Sequence, residues 1–178
     1  KWSQMLSSYG TESCFWGWDD LDLTQITHHY PEQTHKRLEV IITEGHTDRI
    51  TWVQSGYKNV ISIPMGAPPA GSTNMEAKLA FLKHPYVVDA FKRVTRFYVV
   101  MDADEAGVAF RDVLSEYIGR DKCYYVAYPY GYKDSNEVYA GDAKKGLDPK
   151  GKSGIHDLYK SARPVQLKGM LTIESVEP

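Results

Sequence analysis

In the stretch RFYVVMDADEAG, residues Phe97 to Met101 are apolar without interruption, and the chain then runs straight into Asp102, Asp104 and Glu105. A strand with one wet face alternates apolar and polar side chains. An unbroken apolar run, rich in β-branched and aromatic residues, reads instead as a strand covered on both faces. Such strands belong to parallel sheets with helices on each side. The carboxylates at its end repel one another and are costly to bury unpaired. This segment therefore demands a two-sided sheet and a strand end where negative charge is offset.

The neighbouring segments supply the rest of such a sheet. Leu38 to Thr43 (LEVIIT), Asn59 to Pro64 (NVISIP) and Lys122 to Tyr128 read as further short strands, with Arg96 to Met101 the third in chain order. Helical patterns fall at 47–55, with Gly56 as a stop, and at 74–83, 85–94, 106–118 and 155–162. Pro85 suits a first helical turn, where a missing N–H costs nothing. MGAPPAG and the Gly/Lys/Asp-rich stretch 140–153 read as loops. The expected architecture is α/β and Rossmann-like: a mostly parallel central sheet of about four strands flanked by helices. Residues 1–37 read as an irregular, aromatic-rich lead-in. Its histidine-bearing stretch THHYPEQTHKR, broken by Pro31, reads as a solvated loop rather than a metal site.

Composition narrows the functional classes. The formal net charge of −2 means that a nucleic-acid partner would need a local basic patch rather than a basic whole. No run of eighteen apolar residues suggests a membrane span, and the first residues do not resemble a secretory signal. Cys14 and Cys123 are far apart, with no CxxC pair, which suits a reducing cytoplasm better than a zinc ribbon. Lys1 stands where an initiator methionine would, as in a fragment of something longer.

Ligands of open α/β sheets bind beyond the carboxyl ends of the strands. Glu44 and then Asp48 follow the first strand, Asp102 and Asp104 the third, and Lys133, Asp134 and Asn136 the fourth. A single DxD at a strand end can simply cap the next helix. Carboxylates after three of four strands are better explained by a cation among them, and oxygen-only donors suit Mg2+ or Mn2+. Lys133 offers a point charge to a phosphate. Tyr128, Tyr130 and Tyr132 alternate beside it in the manner of a base-stacking strip, although Pro129 and Gly131 favour an ordinary loop. Arg93, Arg96, Arg111, Lys144, Lys145, Lys150 and Lys152 are further candidates for phosphate contacts, with KKGLDPKGK the densest basic stretch.

At EVIITEGHTD (39–48) and YVVMDADEAG (98–107) the sequence resembles a Toprim domain, the metal-dependent module of primases, topoisomerases and some nucleases. Within that superfamily, GYKDSNEVY (131–139), CFWGWDDL and ISIPMGAP are similar to elements of phage-type primase–helicases and Twinkle-like helicases. The resemblance spans residues 14–176, and the tail ARPVQLKGMLTIESVEP is similar to the stretch leading toward a helicase module.

The resemblance implies a Toprim fold over 38–163, a lead-in from an upstream primase subdomain over 1–37, and a linker toward a helicase over 164–178. It implies that Glu44 serves as metal ligand or general acid/base, that Asp102 and Asp104 bind Mg2+ (or Mn2+), and that Asp134 is a further acidic ligand. Asp48, Lys133 and Asn136 would support the site or contact phosphates. The implied activity is that of a DNA primase of phage, prophage or bacterial replication: a nucleotidyltransferase making RNA primers from nucleoside triphosphates on single-stranded DNA. The implied partners are an upstream zinc-binding and RNA-polymerase subdomain and a downstream helicase. A fragment of this size is expected to bind metal yet make little primer alone. A Toprim nuclease or topoisomerase fragment, or a non-catalytic DNA-binding remnant, remain the alternatives. The chain departs from the frequent EGE of the family at His46, which follows Glu44 and Gly45.

Overall fold

A computed structural model describes residues 13–24, 38–69, 71–73 and 75–166, without the side chains of Met75 and Glu76. The histidine-bearing stretch 27–37 and most of the tail, 167–178, lie outside the described residues. The strands are β1 (Glu39–Thr43), β2 (Val60–Ser62), β3 (Arg96–Val100), β4 (Cys123–Tyr125) and β5 (Arg163–Pro164). They form one sheet in the order β2-β1-β3-β4-β5. The first four strands are parallel, and only β5 runs antiparallel, against β4. The helices are α1 (His46–Gln54), α2 (Met75–Lys78), α3 (Pro85–Arg93), α4 (Glu105–Ile118), α5 (Ser135–Ala140) and α6 (Gly151–Lys160).

The unbroken apolar runs have the predicted cause. Along β1, Val40 and Ile42 face one core while Ile41 faces the other; along β3, Phe97, Val99 and Met101 oppose Tyr98 and Val100 in the same way. The first core is completed by Val87 of α3 and by Phe110 and Leu114 of α4. The second is completed by Trp52 of α1, Val138 of α5, and Ile155 and Leu158 of α6. Both faces of the central strands are thus removed from water, which holds their ends in fixed positions.

Several local expectations need correction. The 74–83 segment is a short α2 followed by a 3-10 turn, Ala80–Lys83, and β4 stops at Tyr125 rather than Tyr128. The stretch 140–153 is structured: Asp142 and Leu147 exchange backbone hydrogen bonds, and Lys150 N–H donates to Val138 C=O before α6 begins. Pro164 lies in a strand, and Val165 is buried beyond it. The described part of the lead-in packs on the domain. Phe15 lies in the first core, and Trp16 exchanges two backbone hydrogen bonds with Ser62 along the free edge of β2. Arg49 fastens this segment, donating from Nε to Val60 C=O, pairing with Asp20 and lying over the Trp16 ring. Among the described residues, no helix is long and apolar enough to cross a membrane.

Candidate functional site

The chain leaves β1 toward β2 on one side, then crosses back to β3 on the other, so the topology switches direction between β1 and β3. Sheets of this kind open a crevice beyond the carboxyl ends of the strands at that point. Glu44 and Asp102 stand there. Glu44 N–H donates to Val100 C=O at 3.1 Å. Its carboxylate accepts from Asp102 N–H through Oε2 and from Ala67 N–H through Oε1, each at 3.1 Å. One side chain therefore joins the ends of β1 and β3 and the loop after β2.

Other carboxylates reach the same place from the flanking helices. Asp48, in the first turn of α1, is buried, and its Oδ1 accepts the Asn136 backbone N–H at 3.0 Å. Asp134 is the N-cap of α5, accepting Glu137 N–H through Oδ1 at 2.7 Å. Lys133 lies between strand ends: its Nζ is 3.4 Å from Asp102 Oδ2 and 3.3 Å from Asp134 Oδ2. The Lys133 backbone is held on both sides, its N–H by Glu137 Oε2 at 2.9 Å and its C=O by Ala103 N–H at 2.8 Å.

The electrostatics follow from this crowding. Burial, and then the charges of Asp134 and Asp102, push the Asp48 carboxyl up to about 7 against the opposing pull of the Asn136 amide. Burial, and then the charge of Glu44, push Asp102 up to about 6; Lys133 opposes the rise and Asp134 adds to it. Burial lowers the Lys133 ammonium, but Asp102 and Asp134 outweigh it and carry the group up to about 12. The Tyr128 phenol is raised by burial and then by Asp48. Shifts with these causes report negative charges that share one partly dry space.

The structure thus brings together Glu44, Asp48, Asp102, Asp134 and Lys133. Asn136 contributes its backbone N–H. Asp104 is exposed at the start of α4, where its Oδ1 accepts Gly107 N–H at 2.9 Å; helix capping is its visible contact. Among the described residues, no three His, Cys, Asp or Glu side chains converge as a metal-binding group. Gly107 is what lets α4 approach so closely: a Cβ there would lie 2.3 Å from the Asp102 carbonyl oxygen and 2.9 Å from its nitrogen. His46 opens α1 and packs its ring on Trp16 at 4.7 Å. Burial and then Arg49 lower its pKa.

The candidates outside this cluster divide. Arg96 opens β3, at the opposite end of the sheet, where it lies over Tyr124 and donates to Tyr98 Oη. Arg93 donates to Leu23 C=O. Tyr128 is half-buried against Ser135, Tyr132 donates from its hydroxyl to Asp148 C=O at 2.7 Å, and only Tyr130 of the three is fully exposed. Three supports escaped the sequence reading: Glu137, which holds Lys133; Ser135; and Trp52, whose Nε1–H donates to Ser135 Oγ at 2.9 Å. The spacing Asp134-Ser-Asn-Glu137 carried a usable signal for α5, since an acceptor followed three residues later by Glu marks a helix start.

Known proteins bear on this geometry. Residues 41–139, more than half the chain, match the family described as Toprim-like. The chain is 28% identical over 162 residues to the Primase homolog protein of Arabidopsis thaliana, covering 89% of this chain and 43% of that protein. It is 27% identical over 149 residues to the Twinkle homolog protein, chloroplastic/mitochondrial, of the same plant, covering 80% of this chain and 20% of that protein. The chain therefore spans less than half the length of either relative. A chain from a structure of bacteriophage T7 lagging-strand DNA polymerase interacting with primase domains of two gp4 subunits shares the fold, at 20% identity and a TM-score of 0.52 over 71% of this chain and 56% of that one. With the family match running from within β1 into α5 and including Glu44, Asp48, Asp102 and Asp134, the chain belongs to the Toprim-like family, as a Toprim domain related to those of primases and Twinkle-like primase–helicases.

Proposed function

We propose that this is the catalytic Toprim domain of a DNA primase, working with Mg2+ or Mn2+ to join ribonucleotides on a single-stranded DNA template. The observation that carries the reading is the gathering of Asp48, Asp102 and Asp134 beside Glu44 at the switch point of the sheet. A purely structural role does not call for two carboxyls, Asp48 and Asp102, raised by burial and then by the charges of neighbouring acids.

The donor set fits a hard divalent cation, because it consists of carboxylate oxygens whose repulsion a cation relieves. Asp102 and Asp134, which share one ammonium in this structure, would hold it, and Glu44 and Asp104 would join them by turning from their backbone N–H partners. Such an ion, when bound, would supply neutralisation of the charge that develops in phosphoryl transfer. The chain's own residues set the geometry. Glu44, with both oxygens held by backbone N–H groups, is oriented without side-chain searching and would take a proton from a primer 3′-hydroxyl. Asp48 fixes the start of α5 against α1 through Asn136 N–H, and so fixes Asp134. Lys133, on a backbone held at both ends, reaches for phosphate oxygens.

The partners of this reading are single-stranded DNA, nucleoside triphosphates, and zinc-binding and helicase modules in a longer protein. Its test is calorimetric titration of the chain with Mg2+ or Mn2+. Asp102→Ala and Asp104→Ala should each abolish binding, and heats unchanged from the parent would remove the metal-dependent reading. Primer synthesis by the parent protein, lost with Asp102→Asn, separates catalysis from the non-catalytic remnant, which would bind template and never extend it.

A further inference from the structure

We infer that the Lys133 ammonium is a displaceable counter-ion, which occupies the cation position between Asp102 and Asp134 and hands those carboxylates over when a divalent ion binds. The inference rests on the metal-dependent reading above and goes beyond it by giving Lys133 two positions and one switch.

The geometry has three parts. The ammonium nitrogen lies almost equally far from both carboxylates, 3.4 Å from Asp102 Oδ2 and 3.3 Å from Asp134 Oδ2. Each distance is longer than the 2.7–2.9 Å of a tight charged hydrogen bond, so the group bridges both and grips neither. Second, the two acids are tied down at points other than the ammonium. Asp134 is fixed through its other oxygen by Glu137 N–H, and the Asp102 backbone by Glu44 and by the close approach of Gly107. Removing the ammonium therefore leaves the Asp134 carboxylate and the Asp102 backbone in place.

Third, the Lys133 backbone cannot follow its side chain. Its N–H is bonded to Glu137, itself paired with Lys145, and its C=O to Ala103 N–H. The side chain is 45% exposed, so its flexible stem can swing toward solvent without breaking the core. A metal and an ammonium cannot share the two oxygens. Swinging outward releases them and frees the positive charge to meet a triphosphate, so loading the metal and freeing Lys133 for the nucleotide become one event. An arginine would be harder to displace, since its planar fork grips a carboxylate through two parallel bonds.

The test is Mn2+ binding followed by electron paramagnetic resonance, without nucleotide, for the parent, Lys133→Met, Lys133→Arg and Asp102→Asn. Lys133→Met removes the competing charge and should bind Mn2+ roughly ten-fold more tightly, the factor that about 1.4 kcal/mol represents. Lys133→Arg should bind no more tightly than the parent. Circular dichroism establishes that each variant is folded, and if Lys133→Met fails to fold, Lys133→Gln takes its place. Equal or weaker Mn2+ binding by the neutral variants, with Asp102→Asn still losing the ion, would overturn the counter-ion role alone. Absence of Asp102-dependent Mn2+ binding in the parent and in the neutral variants would overturn the metal reading with it.

Discussion

Asp48 is the residue where the site works most visibly against the fold. Its carboxyl is buried, lies near Asp134 and Asp102, and is pushed from the usual 3.8 up to about 7. The folded protein therefore keeps a proton on Asp48 in a range where the unfolded chain has lost it. Wherever the native state binds more protons, stability falls as pH rises. The loss starts near pH 4, continues to about 7, and is complete above that. Each pH unit of that interval is worth about 1.36 kcal/mol, so the ionised carboxylate costs the metal-free fold of the order of 4 kcal/mol near pH 9.

Asp48→Asn keeps the shape and an oxygen that can accept Asn136 N–H, and it removes the charge. Urea unfolding in EDTA, followed by circular dichroism, should give a variant matching the parent near pH 4 and more stable than it by several kcal/mol near pH 9. The parent's own stability should fall between those limits by more than the variant's. Saturating Mg2+ should narrow the gap at high pH by offsetting the same repulsion. Equal stability of the two proteins at pH 9, or a gain of the same size at both pH values, would refute the argument that ionising a buried Asp48 beside like charges is the cause.

Other outcomes follow from single contacts. Gly107→Ala gains helix propensity but forces a methyl to within 2.3 Å of the Asp102 carbonyl; chemical denaturation should show a net loss of about 1–3 kcal/mol, with weaker Mn2+ binding as Asp102 is displaced. Trp52→Phe leaves a ring in the core but removes the N–H that reaches Ser135, and should cost about 2 kcal/mol in the same assay. Cys123 is buried and its thiol is pushed up to about 11 by burial, whereas Cys14 is exposed. A thiol reagent near pH 8 should therefore modify one cysteine of the native protein promptly and the second only after unfolding.

The central strands were legible because both faces of β1 and β3 are buried, which leaves an unbroken apolar signature that no loop shares. Glu44, Asp48 and Asp102 were legible for a related reason: a charged residue directly after such a run, or in the next helical turn, has few places to go. What surrounds them was not legible. Helix α5 is too short for periodicity to reveal, which leaves its capping spacing as the signal, and β5, two residues long, depends on packing rather than on pattern. Phe15 entered the core from a segment without regular spacing. Arg96 looked like a phosphate ligand from its charge, yet its place at the start of β3 sets it a strand's length from the carboxylates. Lys133 lies next to Asp134 in sequence, but its place beside Asp102 depends on two loops meeting, which no local spacing encodes.

The one antiparallel strand has a practical consequence. Because β5 runs against its neighbours, Val165 N–H bonds to Cys123 C=O at the beginning of β4, so the chain reaches Gln166 at the end of the sheet remote from Glu44 and Asp102. A bead, a surface linker or a fused fluorophore attached just after Gln166 would pull or report from behind the domain and leave its mouth open. Single-molecule work on the site can be tethered from there without shielding the strand ends.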